Sequence, residues 1–357
     1  MKYPTKKLGE VIEISYGKGL SKDSRVDSGK YFAYGSNGPA YRTDESLTKG
    51  EIIVIGRKGT AGALYFISEP CWPIDTTFFA KAKDNVSIKF IYYLLQTKRL
   101  PRLAIVTGVP GINRTTLANI SIQLPPIQTQ KQIVERIDKI VEAQKLNDDL
   151  IQKSDELFQS LLHKELDPAG KDWDVKKLSE VGEIITGTTP STKNSEYWSG
   201  EFLWATPTDI KENTFILTDT PKKLSRAGYE KTHPVPQNAI LVTCIASIGK
   251  MAIAGREMAT NQQINSIVCN KNSDPLFIFF SLQKDKKKLI SLGKTTAVPI
   301  INKSEFGRIK ISLPPLKTQK QIVAKLSAVQ DYKTRLLEQK AKLKELFDSV
   351  LHQSMQE

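Results

Sequence analysis

The chain is written twice, and this constrains its fold more than any single motif does. Ile120-Ser121-Ile122-Gln123-Leu124-Pro125-Pro126-Ile127-Gln128-Thr129-Gln130-Lys131-Gln132-Ile133-Val134 recurs as Ile309-Lys310-Ile311-Ser312-Leu313-Pro314-Pro315-Leu316-Lys317-Thr318-Gln319-Lys320-Gln321-Ile322-Val323, an offset of 189 residues. The register holds upstream, where Val109-Pro110 and Asn113 face Val298-Pro299 and Asn302. It also holds downstream, where Leu157 to His163 (LFQSLLH) faces Leu346 to His352 (LFDSVLH). A second match opens each half: Lys6-Lys7-Leu8-Gly9-Glu10-Val11 against Lys176-Lys177-Leu178-Ser179-Glu180-Val181, at an offset of 170, so the second half carries an insertion. Ile53 to Gly62 pairs loosely with Ile240 to Gly249. Matching ends around divergent middles suggest one scaffold holding two different readers.

After each Leu-Pro-Pro, which is extended because proline fixes its own backbone and biases its predecessor away from helix, a helical stripe begins. Ile133, Ile137, Ile140, Gln144, Asn147, Ile151, Ser154, Phe158 and Leu161 alternate by four and three residues, as do Ile322, Leu326, Val329, Lys333, Leu336, Lys340, Leu343, Phe347 and Val350. The two stripes share one heptad phase, so each helix is the natural partner of the other. About 36 residues at ~1.5 Å each gives ~54 Å, longer than a ~34 Å turn of duplex DNA and long enough for a spacer. Polar Gln144, Asn147 and Lys333 in the seam are expected to weaken it while fixing its register. Asp167-Pro168-Ala169-Gly170 reads as the turn closing the first half.

The stretches 8–124 and 178–313 mix short β-rich runs (EIIVIG, AILVTCIASIG, INSIVCN) with helical runs (IKFIYYLLQTKRL, DPLFIFFSLQKDKKKLI). Each reads as an α/β (α+β) globule with a strand-dominated core. The expected division is 1–124 and 166–313 as globular domains, with 125–165 and 314–357 as long helices forming an antiparallel coiled coil.

A net charge of +14 favours a polyanionic partner, because neutralising phosphates releases condensed counterions. The only cysteines, Cys71, Cys244 and Cys269, are odd in number and far apart, offering neither a disulfide framework nor a paired-Cys zinc site. A reducing cytoplasm fits, and no window approaches a membrane span. Of three histidines, His163 and His352 end the repeated helices, where their partial charge suits a helix C-terminus; His233 stands apart. Gly56-Arg57-Lys58-Gly59-Thr60-Ala61-Gly62 lacks the order of a phosphate loop. Leu-Pro-Pro-Ile and Leu-Pro-Pro-Leu lack the polar residue and aromatic with which a methyltransferase holds an extruded base. Chemistry is therefore expected from a partner, with no metal or cofactor on this chain.

The divergent middles offer polar and cationic side chains on Gly-rich loops: Tyr34, Ser36, Asn37, Arg57, Lys58, Asp75 and Thr76 in the first half. The second half offers Thr188, Thr189, Ser191, Lys193, Ser247, Asn261, Gln262 and Gln263. Asn and Gln can pair with adenine and Arg with guanine, while Lys and Thr usually hold phosphates. Trp173, Tyr197, Trp198 and Trp204 read as core or loop anchors. On residues alone, a basic repressor-like protein with a duplicated domain, a coiled-coil scaffold binding protein, or an enzyme with an unfamiliar site, against which the poverty of His and Cys counts, stays open.

The doubled pattern of Lys-Leu-x-Glu-Val, a variable region, Leu-Pro-Pro-(Ile/Leu)-x-Thr-Gln-x-Gln-Ile-Val and a long helix resembles the specificity subunits of type I restriction–modification systems over essentially the whole chain. Val54-Ile55-Gly56-Arg57-Lys58-Gly59 followed by Trp72-Pro73-Ile74-Asp75-Thr76-Thr77 is similar to one target-recognition-domain pattern, and Gly187-Thr188-Thr189-Pro190-Ser191 with Thr260-Asn261-Gln262-Gln263 to another. The resemblance implies two target-recognition domains related by a pseudo-twofold and held apart by the helix pair. Each would read one half of a bipartite, asymmetric double-stranded DNA site. It further implies two DNA adenine methyltransferase subunits docked on the helices and restriction motor-nuclease subunits, with S-adenosylmethionine, ATP and Mg on those partners. Gln130, Ile133, Ile137, Ile140, Ile151, Phe158, Gln319, Ile322, Leu326, Val329, Leu336 and Phe347 are then expected to serve the spacer or subunit docking.

Overall fold

Each half opens with the same local device. The Lys-Leu-x-Glu-Val sequence closes one helical turn, Leu8–Val11 or Leu178–Val181, and its glutamate reaches back to accept the N–H of the preceding lysine, Glu10 from Lys7 at 3.0 Å and Glu180 from Lys177 at 2.7 Å. The leucine and valine of each turn are buried. The strand just before the turn pairs antiparallel with the strand leading into Leu-Pro-Pro: Thr5–Lys7 with Ser121–Gln123, and Asp174–Lys177 with Lys310–Leu313. The beginning of each half is thereby stitched to its end. The computed structural model describes residues 3–106, 108–211, 215–293 and 299–356; Val298 of the upstream match lies outside them.

The chain divides into two compact units, Met1–Leu150 with Leu336–Glu357, and Ile151–Arg335. The long helices, Ile127–Glu165 and Leu316–Gln356, do not form segments of their own, since each contributes a piece to both units. The second helix continues past His352, which is therefore not in its last turn, whereas His163 is in the last turn of the first.

The middles differ in sequence yet share a topology. In the first unit a four-stranded antiparallel sheet runs Ile12–Tyr16, Thr77–Ala82, Ile52–Gly56, Leu64–Ile67. Its counterpart in the second unit runs Gly182–Thr186, Ile264–Cys269, Ile240–Thr243, Met251–Ala254, and the insertion adds Ile216–Leu217 at the edge. Each unit also has a three-stranded sheet in which one strand is met by a short parallel one: Tyr31–Gly35 by Trp72–Pro73, and Trp198–Ala205 by Ala259–Thr260. Ile52, Ile53, Val54 and Ile55 are all buried, as are Ile240, Leu241 and Val242, so these central strands are apolar on both faces.

The apolar stripe of each helix completes a core. Ile133 and Ile137 join Val350, Leu351 and the partly buried Ile140 and Phe347 under the first sheet and the helix Ile88–Gln96. Phe158, Leu162, Ile322, Leu326 and Val329 do the same under the second sheet and Pro275–Lys284. The helix segments are antiparallel within each unit. In the first, Asn147 donates to the Leu336 carbonyl at 3.0 Å and Gln144 to that of Leu343 at 3.2 Å; in the second, Lys333 meets Asp155 at 2.5 Å and Lys325 meets Glu165 at 3.0 Å. Asn147 and Leu336 are equivalents at the offset of 189, so two copies of one repeat position face each other there. Ile151 stays half-buried.

Gln130 and Gln319, read in the sequence as spacer or docking residues, are instead latches inside their own units, 1% and 0% exposed. Gln130 accepts the Ser87 N–H at 2.9 Å and donates to the Pro125 carbonyl at 2.8 Å. Gln319 accepts the Asp274 N–H at 2.8 Å and donates to the carbonyls of Pro314 at 2.8 Å and Asn272 at 3.1 Å. Ser87 and Asp274 are the N-caps of Ile88–Gln96 and Pro275–Lys284. Each glutamine thus ties the start of a long helix to the start of a helix in its globule, where free N–H groups need acceptors. The same burial removes Ile133, Ile137, Phe158, Ile322, Leu326 and Leu336 from any docking surface.

Candidate nucleic-acid interface

At one edge of each unit three loops are laced together by equivalent backbone hydrogen bonds. In the first unit the Arg57 N–H donates to the Thr76 carbonyl (2.9 Å), Gly59 to Pro110 (3.0 Å) and Ile112 to Arg57 (3.0 Å). In the second, Cys244 donates to Gln263 (2.8 Å), Ala246 to Pro299 (3.0 Å) and Ile301 to Cys244 (2.8 Å). The middle residue of the turn takes the left-handed conformation in both, Gly59 at φ 80° and Ala246 at φ 61°. A fourth loop joins through Lys18 N–H to Pro73 (2.9 Å) and Thr188 N–H to Thr260 (2.8 Å). It enters by a glycine at a close approach: a Cβ on Gly17 would stand 2.0 Å from the Ile74 carbonyl oxygen, and one on Gly187 2.2 Å from that of Asn261.

Tryptophan holds this fourth loop in both units but comes from different strands. The Trp72 indole N–H donates to the Lys18 carbonyl at 2.8 Å, and that of Trp204 to the equivalent Thr188 carbonyl at 3.1 Å. Trp198 adds a bond to Ser191 at 3.3 Å, confirming the expected anchoring role. One backbone frame is thus built twice from unlike side chains.

A family model for the type I restriction modification DNA specificity domain matches residues 2–153 and again 170–345. The chain belongs to that family. It is 31% identical over 185 residues to the type I restriction enzyme MjaIX specificity subunit of Methanocaldococcus jannaschii, covering 50% of this chain and 42% of that protein. It is 35% identical over 149 residues to the HindI specificity subunit of Haemophilus influenzae, covering 40% and 32%. These alignments therefore span less than half of either relative's own length. The crystal structure of the type I restriction–modification S subunit from M. genitalium has the same fold, with a TM-score of 0.70 at 15% identity over 100% of this chain and 97% of that one.

On the first specificity domain, the frame carries Arg57, Lys58, Asp75 and Thr76 together. The turn bearing Ser36 and Asn37 closes on it, with the Ser36 hydroxyl 3.4 Å from where a Cβ of Gly59 would stand. Tyr34 departs from the expectation: it is half-buried, packed beside Ile52, Val54 and Tyr65, and its phenol is pushed up by burial and by the nearby Cys71. It anchors the turn from within. Sequence reasoning missed Tyr16, Lys18 and Arg114. The Arg57 and Arg114 guanidinium groups lie 5.2 and 5.3 Å from the centroid of the Tyr16 ring, which is 50% exposed. Neither arginine has a carboxylate partner among the described residues. Lys18 was legible only through its alignment with Thr188; nothing local marks the other two.

On the second domain the frame loses cations of the first, Thr188 standing at the place of Lys18 and Cys244 at that of Arg57, while Lys303 keeps the charge of Arg114. Thr189 hydrogen-bonds to Gln262 Oε1. Ser191, Lys193 and Gln262 are exposed, while Ser247 and Gln263 are half-buried. Asn261 is 7% exposed, its amide donates to Gln263 Oε1 at 3.0 Å and its oxygen accepts the Gln263 N–H at 3.1 Å. It shapes the loop, as an Asx turn does, and is not free to meet a ligand. His233, also missed, places Nδ1 3.0 Å from the Thr188 hydroxyl.

Burial pushes the Cys71 thiol up, that of Cys244 to about 11 and that of Cys269 to about 12, the last also raised by Asp274. At neutral pH all three are thiols, not nucleophilic thiolates. Among the described residues no group of His, Cys, Asp and Glu could hold a metal, and no helix is long and apolar enough to cross a membrane.

Proposed function

We propose that this chain is the non-catalytic DNA-recognition subunit of a cytoplasmic type I restriction–modification enzyme, each unit reading one half of a bipartite, asymmetric site. The observation that carries this is the duplicated frame, identical in backbone bonding and different in side chains. Lys18, Arg57, Lys58 and Asp75 of the first frame give way to Thr188, Cys244, Ile245 and Gln262 in the second, so the two frames offer base edges different side chains and the target halves are expected to differ. The surplus positive charge supplies the phosphate attraction that any such reader needs.

Adenine methylation and cleavage belong to partner subunits that bring S-adenosylmethionine, ATP and Mg. Two methyltransferase subunits are supported by a second duplication: Leu157 and Leu346 are repeat equivalents and are 51% and 49% exposed, while the phenylalanine after each turns inward. An exposed leucine kept at the same place in both copies suits the same partner docking twice. Leu157→Asp and Leu346→Asp are each expected to lower methyltransferase binding roughly tenfold or more, with one partner lost per substitution by native mass spectrometry. Full two-partner assembly in the double variant would remove the leucines from the interface.

The experiment that tests the function is single-molecule methylation sequencing of host DNA with and without the gene. Disappearance of one bipartite adenine-methylation motif on deletion is expected. Were the methylome unchanged in a strain where the partner subunits are expressed and active, the reading would fall.

A further inference from the structure

His233 sits on the candidate interface of the second unit, in a segment fixed on both sides. Thr232 before it is 8% exposed and its hydroxyl donates to the Tyr229 carbonyl at 2.7 Å. After it, Pro234 restricts the histidine to extended backbone, and the Val235 N–H donates to Met258 at 2.8 Å. The imidazole itself is exposed, and its Nδ1 lies 3.0 Å from the Thr188 hydroxyl and 3.4 Å from the Thr186 carbonyl. Thr188 is equally fixed, its N–H on Thr260 and its carbonyl on Trp204. Two rigid segments thus meet through one side-chain bond.

The chemistry of that bond decides what the ring offers outward. The Thr186 carbonyl can only accept, so both Nδ1 contacts are hydrogen bonds when Nδ1 carries the ring proton, shared between that carbonyl and the Thr188 hydroxyl oxygen. Nε2 makes no hydrogen bond among the described residues, so it presents an acceptor. The donors that the base edges offer in the major groove are the exocyclic amino groups of adenine and cytosine, N6 and N4.

We infer that His233 is a specificity-determining residue of the second unit, accepting at Nε2 from the exocyclic amino group of an adenine or a cytosine. This rests on the reading of these loops as the DNA-facing surface. The complete enzyme, with its methyltransferase subunits, is tested by methylation sequencing of cells carrying His233→Asn, His233→Gln or Gln262→Ala. Asparagine can keep the bond to Thr188 but is too short to replace Nε2, whereas glutamine reaches that position with its amide oxygen. H233N is expected to lower the preference for an amino-bearing base, adenine or cytosine, over guanine and thymine at one position of one half-site roughly tenfold, with H233Q retaining it and the other half-site unchanged. An unaltered motif in H233N, an equal loss at every site without change of motif, or loss of methylation in both H233N and H233Q would overturn the assignment. If Q262A alters one half-site and H233N does not, only this inference fails; if neither alters the motif, the reading of these loops fails with it.

Discussion

Gln319→Ala is expected to destabilise the second unit by about 3 kcal/mol or more, a large effect for one uncharged residue. The side chain fills a site with no exposure and satisfies the Asp274 N–H and the carbonyls of Asn272 and Pro314. Alanine leaves all three without a protein partner, at roughly 1 kcal/mol for each; the bond to Pro314 is buried and the other two are half-buried. Gln319→Met separates the causes, since it keeps the volume and removes the bonds; it should lose nearly as much as alanine. Gln130→Ala, which breaks two such bonds, is expected to cost about 2 kcal/mol in the first unit. Denaturant unfolding gives the loss, and amide exchange at Asp274 or Ser87 locates it. A Gln319→Ala protein that unfolds at the parent's denaturant concentration would show that the latch contributes nothing.

These glutamines also show where sequence reading stops. A polar residue at the edge of an amphipathic helix reads as solvated, and only a partner 43 or 45 residues away turns it into a buried latch. What depends on spacing was legible: the repeat, the two long helices with Ile137 and Phe158 inward, and the strand Ile52–Gly56. The shared topology of the middles was not. A backbone frame asks only that its carbonyls and N–H groups be met, and Trp72 and Trp204 meet the same carbonyl from different strands. Loop composition likewise could not separate Gln262, which is exposed, from Asn261 beside it, which is spent on its own turn. Tyr16, Arg114 and His233 gain their interest from neighbours distant in sequence: the first from Arg57, the second from Tyr16 and the third from Thr188.

Replacing residues 8–124 with this chain's own residues 178–313 is expected to convert the methylated motif into one whose two halves are both the present second half. The graft is compatible at its seams. Lys7 and Lys177 precede equivalent turns, and Leu124 and Leu313 precede the same Pro-Pro. The retained strand Thr5–Lys7 would pair with the incoming Lys310–Leu313 as Asp174–Lys177 does now. Gln130 would find the Asp274 N–H where it now finds that of Ser87. The weak point is the apolar face beneath Ile133, Ile137 and Phe347, together with Asp138, which now holds Lys89 at 2.7 Å and Tyr93 at 2.6 Å. The incoming helix Pro275–Lys284 has no such pair and leaves Asp138 to water, so Asp138→Ala should accompany the graft. Methylation sequencing then decides between two pictures of recognition. If base choice resides in loops carried by each frame, the first half-site disappears and the second is duplicated. If it arises from the whole chain acting together, a folded and assembled graft yields no bipartite motif at all, and the modular reading of the duplicated frame is wrong.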